Sequence, residues 1–160
     1  MDAPETQGAD EPGIYAMESA YLDRFVQLGV AGGKLLSVSF PRTPDDDAAA
    51  EHALLDRIEG YLEGAKADFA DVDIGLTVPT AHRRVLEALR EVPYGQQVTV
   101  ERLTGLTPDL DTDDESDRDL VRTALAENPV PLVIPDHRVR DGPSGAPPDV
   151  EQKLRSLEGL

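Results

Sequence analysis

Alternation of hydrophobic and polar residues marks two stretches in the first half of the chain, and each predicts a β-strand. Gly32 and Gly33 separate the stretches and are typical of a tight hairpin turn. A third alternation, with Pro79 shortly after it, predicts another strand. The positions that would share a face are Val26, Leu28 and Val30, then Leu36, Val38 and Phe40, then Val72, Ile74 and Leu76.

Helical spacing of apolar residues follows each of these regions. One helix is predicted after the loop at 41–50 and ends near Gly64. A second is predicted behind a Thr80 cap. Their apolar stripes are Leu54, Ile58, Tyr61 and Leu62 in the first, and Ala81, Val85, Ala88 and Leu89 in the second.

Three further helices are predicted in the last third of the chain. The first covers VERLTGL after Thr99, and the second runs over about 117–127 behind an acidic loop at 107–117. Ser116 and Asp119 form an S-x-x-D arrangement that is typical of a helix N-terminus. Two short helices joined by a loop predict a helix-turn-helix. The last helix carries Val150, Leu154 and Leu157.

These elements predict an α/β (α+β) protein in two parts. The acidic, Pro- and Gly-containing residues 1–13 are expected to form a disordered tail. Residues 14–79 would form a small N-terminal domain of sheet and helix. Residues 80–160 would form a helical C-terminal domain with the helix-turn-helix.

Charge is the strongest compositional feature. The 160 residues contain 15 Lys+Arg against 32 Asp+Glu, a formal net charge of −17. Lys34, Lys66 and Lys153 are the only lysines, against twelve arginines. This composition is typical of proteins kept soluble in concentrated salt, which predicts a haloarchaeal-type cytosol, with an ordinary acidic protein as the alternative.

Several classes of protein are disfavoured by the residues themselves. No apolar run approaches the ~18 residues of a membrane span, and the N-terminus has neither a basic nor an apolar signal region. We therefore expect a cytoplasmic protein without membrane contact. Zero cysteines exclude disulfides, thiolate metal sites and a Cys nucleophile. The three histidines lie far apart, so no metal and no cofactor are expected.

Three segments of the second half carry a specific resemblance. The chain reads RRVLEALREVPYGQQVTVERL from Arg83, then ENPVPLVIPDHRV, and finally KLRSLEG. These segments resemble the O6-alkylguanine-DNA alkyltransferase family, the methylated-DNA–protein-cysteine methyltransferases. Eleven of the twelve positions from Asn128 to Val139 match the family pattern, and the exception is the nucleophile. The resemblance covers roughly residues 14–160 and implies a winged helix-turn-helix-like DNA-binding motif in the C-terminal domain.

The resemblance implies a mechanism that this chain cannot fully perform. Family members flip an alkylated guanine out of the duplex and transfer its alkyl group to a Cys activated by a His–Glu pair. Asp136 stands at the Cys position, while Asn128, His137 and Glu158 match the supporting network. Because a carboxylate is a much weaker nucleophile than a thiolate, no catalytic residue is expected. Asn128, His137 and Glu158 would then form either a purely structural hydrogen-bond network or part of a working binding pocket.

The residues that would meet DNA are altered as well. Val100 replaces the family's Tyr, and Asp119 falls on its base-replacing Arg. Seven acids crowd residues 109–119, which predicts a solvated, capped loop. The Pro-rich segment 141–149 replaces a longer loop over the alkyl pocket, so we expect an incomplete lid. The residues expected at DNA are Thr99, Arg118, Arg122 and Arg138.

Three hypotheses for function follow. The first is a non-catalytic alkyltransferase-like protein, expected to be a monomer, that binds alkylated duplex DNA and marks it for a repair protein partner. The second is a degenerate homologue that has lost DNA binding and acts as a protein-interaction or regulatory module. The third is an enzyme that uses Asp136, in alkyl transfer or in an Asp-His-Glu hydrolytic site.

Overall fold

The computed structural model describes residues 12–160 as one antiparallel sheet and five α-helices. Residues 1–11, most of the predicted tail, lie outside the described residues, and the first strand already begins at Gly13. The strands are β1 (Gly13–Ser19), β2 (Arg24–Ala31) and β3 (Lys34–Ser39). The helices are α1 (Ala53–Leu62), α2 (Thr80–Leu89), α3 (Val100–Leu106), α4 (Glu115–Ala126) and α5 (Pro148–Glu158), with a 3₁₀ turn at Asp136–Arg138 before α5.

The sheet has the order β1-β2-β3, so the predicted hairpin of β2 and β3 is confirmed. The sequence did not predict β1, which pairs with β2 from Gly13 opposite Val30 to Ser19 opposite Arg24. Its side chains do not alternate between core and solvent, because the adjacent Tyr15 and Ala16 are both buried. The period of two that identifies a half-buried strand is therefore missing.

The register of β3 differs from the predicted one. Gly29 pairs with Ser37, but Val30 pairs with Leu35, so Leu36 is an extra residue in a bulge. Leu35 is 3% exposed and Leu36 is 40% exposed. The prediction that Leu36 faces the core is therefore wrong, because a one-residue shift turns a side chain to the other face of a sheet.

The strand predicted at Val72, Ile74 and Leu76 is reduced to one isolated parallel bridge between Leu35 and Ile74. Two arginines explain why pairing stops there. The Arg90 side chain donates to the carbonyl of Val72 at 2.8 Å, and the Arg83 side chain donates to the carbonyl of Leu76 at 2.9 Å. These carbonyls are satisfied without a neighbouring strand.

Two helix caps are corrected by the structure. Pro79, not Thr80, occupies the N-cap of α2, and no side chain caps that helix. Asp114, not Ser116, caps α4, because its Oδ1 accepts hydrogen bonds from the Ser116 amide at 2.9 Å and from the Ser116 hydroxyl at 2.6 Å. The Ser116 side chain thus donates to the cap and does not provide it.

The two predicted parts share one hydrophobic cluster. Helices α2, α3 and α4 pack against one another, and α1 packs on β1. The Val38 amide of β3 donates to the carbonyl of Pro129 at 2.9 Å, which joins the sheet to the segment before the 3₁₀ turn. No helix among residues 12–160 is long and apolar enough to cross a membrane. Fully buried members of the cluster include Leu28, Ile58, Tyr61, Leu86, Leu103, Leu125, Ile134 and Leu154.

Candidate functional site around Asp136

The segment from Val130 to Val139 is buried at every position. It folds back on itself, since the Ile134 amide donates to the carbonyl of Val130 at 2.9 Å, and Leu132 takes a positive φ of 78°. The 3₁₀ turn at its end pairs with the strand-like residue Val98, whose amide donates to the carbonyl of Arg138 at 2.8 Å. Asp136 is thereby held in the interior between α4 and α5.

The Asp136 carboxylate is completely buried and accepts three hydrogen bonds. Its Oδ2 accepts from Asn128 Nδ2 at 3.0 Å and from the Gly145 amide at 2.8 Å. The Ser144 hydroxyl donates to its Oδ1 at 2.5 Å. Asn128 is itself fixed, because its Nδ2 also donates to the Ile134 carbonyl and its Oδ1 accepts from the Val130 amide. The carboxylate thus connects the end of α4 to the loop before α5.

Burial raises the pKa of Asp136 above its usual value, although the hydrogen bonds from Ser144, Gly145 and Asn128 and the proximity of His137 act in the opposite direction. Removal from water penalises the charged form, and these donors compensate only in part. At a given pH, a smaller fraction of Asp136 is therefore in the charged form that could act as a nucleophile.

The loop at 141–147 contacts Asp136 directly through Ser144 and Gly145, while the incomplete lid over an alkyl pocket stays a prediction. Ser144 accepts a hydrogen bond from the Ala146 amide at 2.9 Å, which shapes the loop tip. A Cβ built on Gly145 would lie 2.3 Å from the carbonyl oxygen of Asn128. The loop is short, but a glycine lets its backbone reach the carboxylate.

A second network lies beside the first, centred on Glu158. Its Oε2 accepts from His137 Nε2 at 2.8 Å, and its Oε1 accepts from Arg138 Nε at 2.9 Å and from the Gly95 amide at 3.0 Å. The Tyr61 hydroxyl of α1 also donates to Glu158 and lies 3.3 Å from His137 Nε2. The sequence-predicted His137 and Glu158 are therefore brought together.

Protonation in this network follows from its geometry. Burial raises the pKa of Glu158, but hydrogen bonds from His137, Arg138 and Tyr61 outweigh it, so the pKa lies well below its usual value. Burial and the Glu158 charge hold the pKa of Tyr61 well above its usual value. A charged carboxylate only accepts, so Nε2 of His137 carries the hydrogen. Nδ1 of His137 has no partner among the described residues.

Tyr61, Ser144 and Gly145 were not predicted from the sequence as members of the site. Tyr61 was assigned to the core stripe of α1, and it is 76 residues from His137 and 97 from Glu158. Ser144 and Gly145 lie in a loop whose composition indicates only a turn. No signal in the sequence places any of these three beside the network, because each contact is made only when the two parts fold together.

The four residues expected at DNA are held in other ways. Arg138 is 8% exposed, with its guanidinium on Glu158 and on the Val92 carbonyl, so it would have to leave these partners to contact DNA. The physical reason is that the buried Glu158 carboxylate needs a positive partner, and the Arg138 guanidinium provides it. Thr99 caps α3, its Oγ1 accepting from the Arg102 amide at 3.1 Å.

Arg118 and Arg122 neutralise acids of their own helix. Arg118 donates to Glu115 at 3.3 Å and to the carbonyl of Thr112, and Arg122 donates to Asp119 at 2.6 Å. Both arginines thus form ion pairs at three-residue spacing, an ordinary arrangement on a helix surface. Each would have to leave its acid to reach a phosphate.

Comparison with known proteins identifies the family. A family profile described as 6-O-methylguanine DNA methyltransferase, DNA binding domain, matches residues 80–158. A methylated-DNA–protein-cysteine methyltransferase of Methanopyrus kandleri is 33% identical over 129 residues, which cover 78% of this chain and 93% of that protein. The chain belongs to the 6-O-methylguanine DNA methyltransferase family. The resemblance found in the sequence is thereby confirmed.

Other relatives of this methyltransferase-family chain include a DNA base-flipping protein of Thermus thermophilus. It is 31% identical over 104 residues, which cover 62% of this chain and 64% of that protein. A methyltransferase of Metallosphaera sedula is 32% identical over 110 residues, covering 66% of this chain and 64% of that protein.

Solved structures show the same fold. The OGT of Mycobacterium tuberculosis in complex with DNA superposes with a TM-score of 0.69 at 20% identity, covering 92% of this chain and 91% of that one. The O6-methylguanine-DNA methyltransferase of Pyrococcus kodakaraensis gives a TM-score of 0.70 at 17% identity, covering 92% and 100%. At these identities the likeness is one of fold, and it confirms the predicted α/β class.

Proposed function

We propose that this methyltransferase-family protein is non-catalytic and recognises O6-alkylguanine in duplex DNA without accepting the alkyl group. The observation that carries the proposal is the state of Asp136 at the nucleophile position. Its carboxylate is fully buried and accepts hydrogen bonds from Asn128, Ser144 and Gly145. An acceptor of an alkyl group needs a lone pair directed at the alkyl carbon.

Chemistry supports the same assignment. Displacement at an alkyl carbon favours a thiolate, and a carboxylate is a poor substitute in any environment. Here the donors around Asp136 hold its oxygens, and burial raises its pKa, which reduces the fraction in the charged, nucleophilic form at a given pH. The carboxylate acts as a structural group that holds the loop at 141–147 to the end of α4.

DNA recognition is supported by the retained architecture. Helices α3 and α4 are joined by the loop at 107–114, as the helix-turn-helix requires. The relative from Thermus thermophilus is a DNA base-flipping protein, and the OGT neighbour is bound to DNA. In our proposal the chain shares this binding, acts as a monomer in the cytoplasm, and presents the lesion to a repair protein.

The test is binding and mass measured on the same samples. We expect tighter binding, by fluorescence anisotropy, to a duplex with O6-methylguanine than to its unmodified twin, and no mass increase of one methyl group on intact protein. Titrations from dilute buffer to about 2 M KCl reduce the self-repulsion of the acidic surface. A methyl adduct on the peptide that contains Asp136 would contradict the non-catalytic assignment.

The alternative function is a degenerate family member that acts as an interaction or regulatory module. It is favoured by the ion pairs of Arg118 with Glu115 and of Arg122 with Asp119, because both arginines were expected to contact DNA. Absence of binding to both duplexes at every KCl concentration would favour this alternative over DNA recognition.

A further inference from the structure

The fifteen basic side chains fall into two groups. Ten donate to a carboxylate or to a backbone carbonyl and are therefore engaged in the fold. They are Arg24, Arg57, Arg83, Arg84, Arg90, Arg118, Arg122, Arg138, Lys153 and Arg155. The other five have no hydrogen bond or ion pair within residues 12–160, namely Lys34, Arg42, Lys66, Arg102 and Arg140.

Arg102 and Arg140 each lie near the start of α3 in the C-terminal part. The Arg140 amide donates to the carbonyl of Val98 at 2.9 Å, which places Arg140 beside the residues that lead into α3. Arg102 lies in the first turn of α3, and its amide donates to Thr99. Asp141, next to Arg140, accepts from the Val100 amide at 2.7 Å. The backbone at both arginines is therefore anchored to the residues that begin α3.

Both arginines are exposed to solvent at this end of α3. Arg102 also borders an open cavity of about 410 Å³. Thr99, Glu101, Gly105, Leu106 and Thr112 line the same cavity, so one exposed acid lies beside Arg102. Leu106 is 45% exposed, so an apolar contact is available next to the Arg102 charge.

The start of α4 has the opposite charge. Residues 109–119 contain seven acids. Three of them are paired, with Arg84, Arg118 and Arg122. Even with these pairs the segment keeps an excess of four negative charges, which repels phosphate. A DNA backbone that meets the helix-turn-helix is therefore repelled less at the start of α3, where Glu101 and Arg102 balance, than at the first turn of α4.

We propose that Arg102 and Arg140 receive the phosphate backbone of the DNA duplex and take over the electrostatic part of binding from Arg118, Arg122 and Arg138. This inference rests on the proposed function. It names the part of the surface that meets DNA, and it predicts a contact that is independent of sequence, since phosphates carry no base identity.

The test compares Arg102→Ala, Arg140→Ala and the double variant by anisotropy on both duplexes over a range of KCl concentrations. The magnitude of the slope of log K against log[KCl] is expected to fall by about 0.9 for each arginine removed. Affinity is expected to fall by the same factor on the O6-methylguanine and unmodified duplexes, so that the lesion preference is retained.

Two further variants exclude trivial explanations. Lys34→Ala/Lys66→Ala removes the same total charge from unpaired lysines of the N-terminal part, and we expect its slope to match wild type. Arg102→Lys/Arg140→Lys keeps the charge and is expected to restore most of the slope. Circular dichroism checks that every variant is folded.

The outcomes separate the two proposals. Wild-type binding with an unchanged slope in the double alanine variant overturns the inference and leaves the proposed function in place. An equal loss in the Lys34→Ala/Lys66→Ala control also overturns it, since net charge alone would then explain the effect. Wild-type protein that binds neither duplex at any KCl concentration overturns both.

Discussion

The Gly145 amide donates a hydrogen bond of 2.8 Å to Oδ2 of Asp136, nine residues earlier in the chain. This contact requires a glycine, because a Cβ at residue 145 would lie 2.3 Å from the carbonyl oxygen of Asn128. Asp136 is thus a clamp between two backbone segments. This relationship between Asp136 and Gly145 leads to the first predictions.

Asp136→Ala is expected to lower the free energy of unfolding by about 2–4 kcal/mol, because it leaves the Gly145 amide and the buried Asn128 side chain without this acceptor and frees Ser144. Urea unfolding followed by circular dichroism in KCl measures the change. The control is Asp113→Ala, which removes an exposed acid from the loop at 107–114 before α4. Its unfolding free energy should stay within about 0.5 kcal/mol of wild type. Equal stability of Asp136→Ala and wild type would show that the carboxylate holds nothing in place.

The pH dependence of Asp136→Asn is expected to differ from wild type in a defined direction. Burial raises the pKa of Asp136 in the folded protein, so the native state binds more protons than the unfolded chain above about pH 4. Wild type therefore loses stability relative to Asp136→Asn as the pH rises above about 4. Unfolding free energies of both proteins at a series of pH values measure this difference.

Glu158→Gln provides the opposite case for the same pH series. The pKa of Glu158 is lowered in the folded protein. The stability that its charged form contributes is therefore present above about pH 4.3, and it is lost as the pH falls through the pKa of the folded protein. The disadvantage of Glu158→Gln should therefore shrink in acid. If both variants changed with pH in the same direction relative to wild type, the assigned protonation states would be wrong.

Tyr61→Phe is expected to destabilise the fold by about 1.5–3 kcal/mol, because the Tyr61 hydroxyl donates to the charged, buried Glu158. Thermal and urea unfolding measure the loss. Tyr21→Phe is the matched control, since its hydroxyl donates to the Lys153 carbonyl at 2.7 Å at the surface. We expect the control to cost less than about 1 kcal/mol. Equal effects of the two changes would contradict a special role of Tyr61.

Gly145→Ala is expected to cost about 1–3 kcal/mol, because the Asn128 carbonyl that its Cβ would meet belongs to the backbone and yields little. Gly60→Ala in α1 is the control, because a Cβ added there would have no atom within 4 Å, and it should stabilise the helix by about 0.5–1 kcal/mol. Unfolding in urea measures both. Unchanged stability of Gly145→Ala would mean that the loop is not held against Asn128.

Local patterns predicted most of the secondary structure. The β2–β3 hairpin and the helix at 100–106 have the predicted form, because the period of apolar residues and the turn residues act within a few positions. The patterns failed where pairing partners decide the outcome. Strand β1, the exposed Leu36 and the isolated bridge of Ile74 all depend on what lies beside them in the sheet.

The family and the residues around Asp136 could be predicted from the sequence because they lie in one continuous motif from Asn128 to Val139, with Glu158 close behind. The absence of cysteine likewise followed from composition alone. The tertiary structure alone decided how these residues are used. It buries Arg138 against Glu158, brings Tyr61 across from α1, and closes the loop at 141–147 over Asp136. The physical reason is that residue types define which hydrogen bonds and charges are available, whereas burial and long-range contacts select which of them meet.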